Sequence, residues 1–221
     1  MFKYPCIGRM SFLDFSIGLS PQYPTVLKHL KTGNANLLDL GCCLAQDLRK
    51  LVHDGVPSTS LSGSELEAGF IDLGYDLFRD RDALQAKFSV NDFFDETTQN
   101  EVLQEGAFDY IYAASFFHLF GWEEQVQAFS RAVRLLKPRA ESLIFGRQTC
   151  TEGEAHEIEH HATRSGNMFR HNEESFRKLI EDVSVKTGID LEVETGDQAR
   201  PENDYAAGTG VRMMTFGIRR K

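Results

Sequence analysis

The chain has no run of lysine and arginine, no long apolar stretch, and no cysteine pair at metal-binding spacing, and each absence removes a class of function. Its 221 residues carry 24 Lys and Arg against 33 Asp and Glu, a formal charge of −9 with no local basic stripe to offset it. Phosphate neutralisation supplies most of the affinity for nucleic acid, so no nucleic-acid partner is expected. The longest uncharged stretches, Phe15 to Leu27 and Tyr110 to Trp122, fall short of the roughly 20 apolar residues that cross a bilayer. Lys3, Arg9 and Asp14 break up the N-terminus, which leaves no apolar core for a signal peptide and points to a cytoplasmic location without a membrane span. Cys6, Cys42, Cys43 and Cys150 show no C-x-x-C spacing, and an adjacent pair is poor geometry for a disulfide or a shared zinc, so all four read as reduced thiols.

Hydrophobic residues at 41% and charged residues at 26% are those of a folded globular chain, and the length suits one domain. No internal repeat or low-complexity linker divides it. Asn36 to Leu40 reads as a strand stopped by Gly41, and Gln46 to His53 as a helix. A second strand follows at Thr59 to Gly63, a helix at Leu66 to Phe78, a third strand at Ala86 to Val90 and a short polar helix at Glu96 to Gln104. The aromatic, β-branched run Phe108 to Ala113 suits a buried fourth strand. Trp122 to Leu136 is an amphipathic helix ended by Lys137–Pro138, and Ser142 to Phe145 a fifth strand. After a polar, His-rich connection come a helix at Glu173 to Lys186 and strands at Leu191 to Glu194 and Val211 to Ile218, which pair as an antiparallel edge. Alternating strands and helices predict an α/β domain with a seven-stranded, mostly parallel sheet covered by helices on both faces. Residues 35–221 are expected to form that domain, with residues 1–34 as a leading segment.

In such sheets ligands sit at the carboxyl ends of the strands, so the first strand-to-helix turn matters most. It reads DLGCCLAQDLRKL, Asp39 to Leu51. A phosphate cradle needs several glycines or a G-K-[ST], and this turn has Gly41 alone, with Cys43 and Ala45 at the next alternate positions. What remains suits a ligand without phosphate: an acidic residue ending the strand, one glycine, and a helix N-terminus able to hold a carboxylate. S-adenosylmethionine is such a ligand. Its ammonium would meet Asp39 and its carboxylate the amides of Ala45, Gln46 and Asp47. Glu65, after the second strand, can accept from both ribose hydroxyls. Asn91 and Asp92 after the third strand offer a carboxylate to the adenine amine, and Phe93 and Phe94 an aromatic wall.

The runs YPCIGRMSFLDFSI, LLDLGCCLAQDLRKLVHDG, GSELEAGFIDLGYDLFRD, FDYIYAASFFHLFGWEEQ and MFRHNEESF closely resemble the fungal methyltransferases of meroterpenoid and related secondary-metabolite pathways, over nearly the whole chain. The resemblance implies a Rossmann-like class I methyltransferase fold, S-adenosylmethionine as cofactor, and methyl esterification of a carboxyl group on a polyketide–terpenoid intermediate. It places cofactor contacts at Asp39, Gly41, Glu65, Asn91, Asp92 and Ala113, Ala114 and Ser115, and favours a homodimer. Relative to that family this chain has glutamate for aspartate at Glu65, alanine for glycine at Ala45, and a shorter leading segment, residues 1–34, which the resemblance implies closes over the acceptor site as a lid.

Methyl transfer is an in-line displacement, so the protein mainly supplies proximity and alignment. A carboxylate acceptor is ionised at neutral pH, with a pKa near ~4, and needs no base; a hydroxyl acceptor does. His118, after the fourth strand, is the candidate base or orienter. Arg147, Arg170 and His171 are candidate cations for an anionic acceptor, and Phe12, Phe15 and Phe117 candidate walls of an apolar acceptor pocket.

Two other enzymatic readings start from particular residues. HEIEH, His156 to His160, matches the H-E-x-x-H zinc-hydrolase pattern, although no G-x-x-H follows and a solvated loop accounts for it. Cys43 and Ala45 in glycine positions are compatible with an isomerase or cyclase on the methyltransferase fold. A non-enzymatic interaction module is opposed by the lack of any repeat or charged tail.

Overall fold

A computed structural model describes residues 10–97, 100–159, 164–198 and 209–221. The central strand, β1 (Leu37–Leu40), is buried along its whole length, as a parallel strand covered on both faces must be. Beside it lie β2 (Leu61–Glu65) and then β3 (Lys87–Val90). On the other side lie β4 (Tyr110–Ala114) and β5 (Leu143–Thr151), and all five strands are parallel. β9 (Val211–Arg220) runs antiparallel to β5, and β8 (Leu191–Asp197) closes the edge antiparallel to β9. The order is β3-β2-β1-β4-β5-β9-β8, so the strand order reverses between β1 and β4, where ligand crevices form. The expected architecture of seven mostly parallel strands with an antiparallel pair at one edge is the one observed.

Strand periodicity sorts the core. Leu38 and Leu40 pack with Ile111 and Ile144 under α4 (Trp122–Leu135) and α5 (Glu173–Thr187), whose Phe129, Val133, Phe176 and Leu179 are fully buried. Each such side chain contributes roughly 1.5–3 kcal/mol. Leu37 faces the opposite way with Tyr112 and Phe145, covered by α1 (Tyr23–Leu30) and α2 (Gln46–His53). Asp39, two residues after Leu37, shares this second face. α3 (Ala68–Phe78) connects β2 to β3. The helix ends follow local chemistry: Asn172 caps α5 through Ser175 N at 2.9 Å, and Gly188 takes φ +67° at its C-terminus.

Several elements differ from expectation. No helix forms among the described residues of 96–104. Asp95 Oδ1 instead accepts from Thr97 N and Thr97 Oγ1, and Asn100 Oδ1 from Val102 N and Leu103 N. Side chains that satisfy nearby amides in this way compete with a helix. β2 forms two residues later than expected, which puts Glu65 at its end. The His-rich connection carries a separate hairpin, β6 (His156–Glu159) with β7 (Asn167–Arg170). Within the leading segment, α1 is part of the core, with Val26 and Leu30 buried.

Candidate functional site

Gly41 leaves β1 at φ +69°, and its amide and that of Cys42 donate to Ser64 O at 2.9 and 3.1 Å, latching the turn to β2. A Cβ at Gly41 would lie 2.8 Å from the Phe116 ring, so only glycine fits both the backbone and the close approach. Cys43 and Ala45 also take positive φ, +52° each, a conformation that costs a non-glycine residue roughly 1–3 kcal/mol. Ala45 is the N-cap of α2 and has no side-chain oxygen to offer, so no side chain caps the helix.

Glu65 is 8% exposed, and its carboxylate folds onto this turn. Oε2 accepts from Cys43 N at 2.9 Å, while Oε1 accepts from Leu66 N and Glu67 N at 2.8 and 3.2 Å. Register puts Asp39 opposite Gly63 and Tyr112, and Ala114 opposite Arg147. Asp39, Glu65, Tyr112 and Arg147 therefore share one sheet face.

Beneath the turn lies a buried polar cluster. Asp47 Oδ1 accepts from Ile17 N at 2.8 Å, and its Oδ2 accepts from Gln46 Nε2 at 3.1 Å and Ser16 Oγ at 3.4 Å. Ser16 Oγ lies 2.7 Å from Tyr112 Oη. Tyr112 and Ser16 were not singled out by the sequence, and Asp47 only for its amide. An acidic residue on the inner side of an amphipathic helix is the signal that could have found the Asp47 carboxylate. Burial pushes the Asp47 carboxyl above the ordinary range, while its hydrogen bonds and Arg147 hold it down. The Asp39 carboxyl is raised well above the ordinary range by burial and then by the charges of Asp47 and Glu65. Asp39 Oδ2 and Gln46 Oε1 are buried and have no hydrogen-bond partner.

After β3, Asn91 Oδ1 accepts from Ser89 Oγ, and Asp92 Oδ1 accepts from Phe94 N. Phe93 departs from expectation. It is 5% exposed and packs edge-on to Phe116 beneath the Arg131 guanidinium, because its side chain turns into the core. The half-buried ring on this loop is Phe94, which carries Arg164 at 4.9 Å. Nothing in the sequence signalled Arg164.

After β4, Ala113 is fully buried, Ala114 and Ser115 are half-buried, and Ser115 at φ +55° donates its amide to Arg147 O at 2.7 Å. His118 is half-buried on the 3-10 turn Phe117–Leu119. Phe117 does not line a pocket. It is 1% exposed and stacks on Phe129 at 3.6 Å between centroids, so it belongs to the core. Phe12 and Phe15 are half-buried on the leading segment, where Asp14 lies 3.7 Å from Arg147. Arg147 Nη1 donates to Gln198 Oε1 at 3.2 Å, while its Nε is buried and unpaired. Arg170 is half-buried on β7.

His171 is not the cation expected. It is fully buried, with Nε2 3.2 Å from Gln125 Oε1 and Nδ1 3.0 Å from Ser175 Oγ, and burial lowers its pKa to about 4. It is neutral at physiological pH. The zinc pattern fails on geometry. His156–Glu159 is an exposed strand and not the helical turn that would bring both histidines to one metal; His160 lies outside the described residues. Among the described residues no group of three His, Cys, Asp or Glu could hold a metal ion, and no helix is long and apolar enough to cross a membrane.

A methyltransferase domain model matches residues 37–139, the stretch from β1 to just past α4. O-methyltransferase phiE from a fungal species is 42% identical over 195 residues, 87% of this chain and 64% of that protein. The asnovolin E/chermesin D methyltransferase nvfJ of Aspergillus novofumigatus is 38% identical over 221 residues, all of this chain and 78% of nvfJ. The chain belongs to this methyltransferase family. It spans less than two thirds of the length of phiE. Among solved structures, the 1,6-didemethyltoxoflavin-N1-methyltransferase of Burkholderia thailandensis superposes with a TM-score of 0.68 at 16% identity, over 97% of this chain and 82% of that one. This likeness shows the fold.

For a methyltransferase, the donor set at β1 fits S-adenosylmethionine. Two buried acceptors without donors, Asp39 Oδ2 and Gln46 Oε1, match an ammonium that carries three N–H groups. The uncapped first turn of α2 matches a carboxylate. Glu65 spends three of its roughly four acceptor sites on backbone amides, which leaves capacity for a ribose hydroxyl. Glutamate in place of aspartate reaches back to Cys43 N, so its longer side chain braces the turn, and about one acceptor site remains where two ribose hydroxyls were expected to bind.

Proposed function

We propose that this methyltransferase transfers a methyl group from S-adenosylmethionine to a carboxylate oxygen of a small fungal secondary metabolite, a polyketide–terpenoid acid, giving a methyl ester. The observation that carries the cofactor half of the reading is the unpartnered Asp39 Oδ2, 3% exposed at the residue level, beside the uncapped start of α2. The name of phiE supports oxygen as the acceptor atom, and that of nvfJ a secondary metabolite as substrate.

S-adenosylmethionine, when bound, would supply a sulfonium methyl whose carbon is open to in-line attack by an acceptor oxygen, the C–O bond forming as the C–S bond breaks and S-adenosylhomocysteine leaves. Asp39 would hold the ammonium end of that group and Glu65 its ribose. Arg147, with its buried unpaired Nε, draws the acceptor carboxylate to the same face. His118 orients the acceptor and takes no proton from a carboxylate, since that group is already ionised. Phe12 and Phe15 cover the apolar part of the acceptor.

Incubating the protein with S-adenosylmethionine and a terpenoid carboxylic acid, followed by mass spectrometry, tests this. The expected product is heavier by one CH2 and is saponified by base. Cofactor binding without methylated product from any carboxylic acid would refute the methyl ester and turn the reading to a hydroxyl acceptor or to a cyclase on the same fold.

A further inference from the structure

Arg164 is remote in sequence from the cofactor turn, on the connection between β6 and β7. Its guanidinium pairs with the Asp92 carboxylate through Oδ2, lies 4.9 Å from the centroid of the Phe94 ring, and has Glu124 Oε1 at 4.0 Å. The residues next to it are fastened to the same region: Ser165 Oγ donates to Glu124 Oε2 at 2.7 Å, and Phe169 N donates to Phe120 O at 2.9 Å. Asp92 Oδ1 is engaged by Phe94 N, so Oδ2 is the oxygen left for an exocyclic amine, and Arg164 holds it.

A planar guanidinium that donates to a carboxylate while lying over an aromatic ring makes the two contacts a purine with an exocyclic amine would make in the same place. We propose that Arg164 is an internal competitor for the nucleobase end of the cofactor cleft, and so a determinant of cofactor affinity: it occupies Asp92 and Phe94 in the empty protein and leaves when the base binds. The inference rests on the S-adenosylmethionine reading. The Arg164 side chain is 50% exposed and that of Asp92 41%. The pair is therefore weak and screened by salt, and the arginine can swing into water.

Isothermal titration of the full chain with S-adenosylhomocysteine and with adenosine, on wild type, Arg164→Ala and Arg164→Gln, decides it. Both variants bind both ligands about fivefold more tightly than wild type, equivalent to about 1 kcal/mol. The difference narrows as salt rises, because screening weakens the competing pair only in wild type. Thermal unfolding without ligand superimposes for all three, and should Arg164→Ala fail to fold, Arg164→Gln carries the comparison. Equal or weaker binding by the variants, or a gap indifferent to salt, overturns the proposal while leaving the cofactor reading intact. If neither wild type nor variants bind S-adenosylhomocysteine, the cofactor reading itself falls and this inference with it.

Discussion

Replacing Asp39 by asparagine should stabilise the empty protein and cripple cofactor binding. Asp39 is 3% exposed, its Oδ2 has no partner, and its pKa is raised first by burial and then by Asp47 and Glu65. A carboxyl whose pKa is higher folded than unfolded takes up a proton on folding, so stability falls as pH rises from the unfolded value near ~4 toward the folded one. Asparagine keeps the shape and has no charge to desolvate. Leaving a buried polar group unsatisfied costs roughly 1–3 kcal/mol, with more for a charged one. The amide of Asp39→Asn still lacks a partner, so the variant recovers only the excess cost of the charge over a neutral polar group, about 1–3 kcal/mol toward the alkaline side of the window. At about 3 °C per kcal/mol for a chain of this size, the melting temperature rises by roughly 3–9 °C.

Scanning calorimetry of the ligand-free proteins near pH 8 and near pH 4.5 measures this, with the gap widest at the higher pH and shrinking on acidification. Titration with S-adenosylhomocysteine measures the other half. Loss of a charge-assisted partner for the ammonium, worth roughly 1.5–3 kcal/mol, weakens binding about 10- to 150-fold. A variant less stable than wild type near pH 8, a gap that ignores pH, or unchanged affinity would each refute the reasoning, since all three effects come from one uncompensated charge.

Gly41→Ala should cost roughly 1–2 kcal/mol for the left-handed backbone alone, plus displacement of Phe116, whose ring stands 2.8 Å from the new Cβ; chemical denaturation reads the loss and a destabilisation under ~0.5 kcal/mol would contradict it. His171, with its pKa lowered to about 4 by burial, contributes stability that is complete above its unfolded value near 6.5 and is lost as pH falls toward 4, about 3 kcal/mol in all. His171→Gln should flatten that acid limb in a pH series of unfolding curves, and an unchanged slope would show the histidine is not its source. Because β6 presents His156 on a strand and not a helix, EDTA should leave the melting temperature unchanged and elemental analysis should find no stoichiometric zinc.

The elements legible in the sequence were those with one dominant period. α4 and α5 each bury one clear helical face, and β1 and β4 are short, nearly continuous apolar runs buried on both faces; the structure places all four where those patterns do. The β6–β7 hairpin was not legible because its first strand is largely wet: His156, Glu157 and Glu159 are exposed, so no alternation marks it. The turn chemistry around Asp95 and Asn100 was present in the sequence but was outvoted by the helical composition around it. Within the candidate site, Asp39, Gly41, Glu65 and Asp92 could be put forward from the sequence because each sits at or just past a strand end that local pattern locates. Ser16, Tyr112, Arg147 and Arg164 could not be joined to them, because sheet register and the path of two distant segments bring them together.

A second kind of legibility exists only in three dimensions. Among the described residues, six non-glycines have positive φ, and three of them, Cys43, Ala45 and Ser115, lie on the two turns that leave β1 and β4. Asp39 Oδ2 and Gln46 Oε1 lie at the first of these turns, and the unpaired Arg147 Nε lies beside the second, where Ser115 N bonds Arg147 O. Backbone strain and unmatched buried polar atoms each lower stability, and a fold under no other demand would shed them. Unmatched buried atoms also occur at Ser142, Gln148, Arg170 and Arg212, but at the switch point of the sheet they coincide with strained backbone, the combination that a ligand supplying the missing partners would relieve. Asn, Met and similar neutral replacements there should accordingly stabilise the empty protein, whereas the same substitutions at a buried polar residue already matched, such as Asp109 with Lys137 and Arg139, should destabilise it.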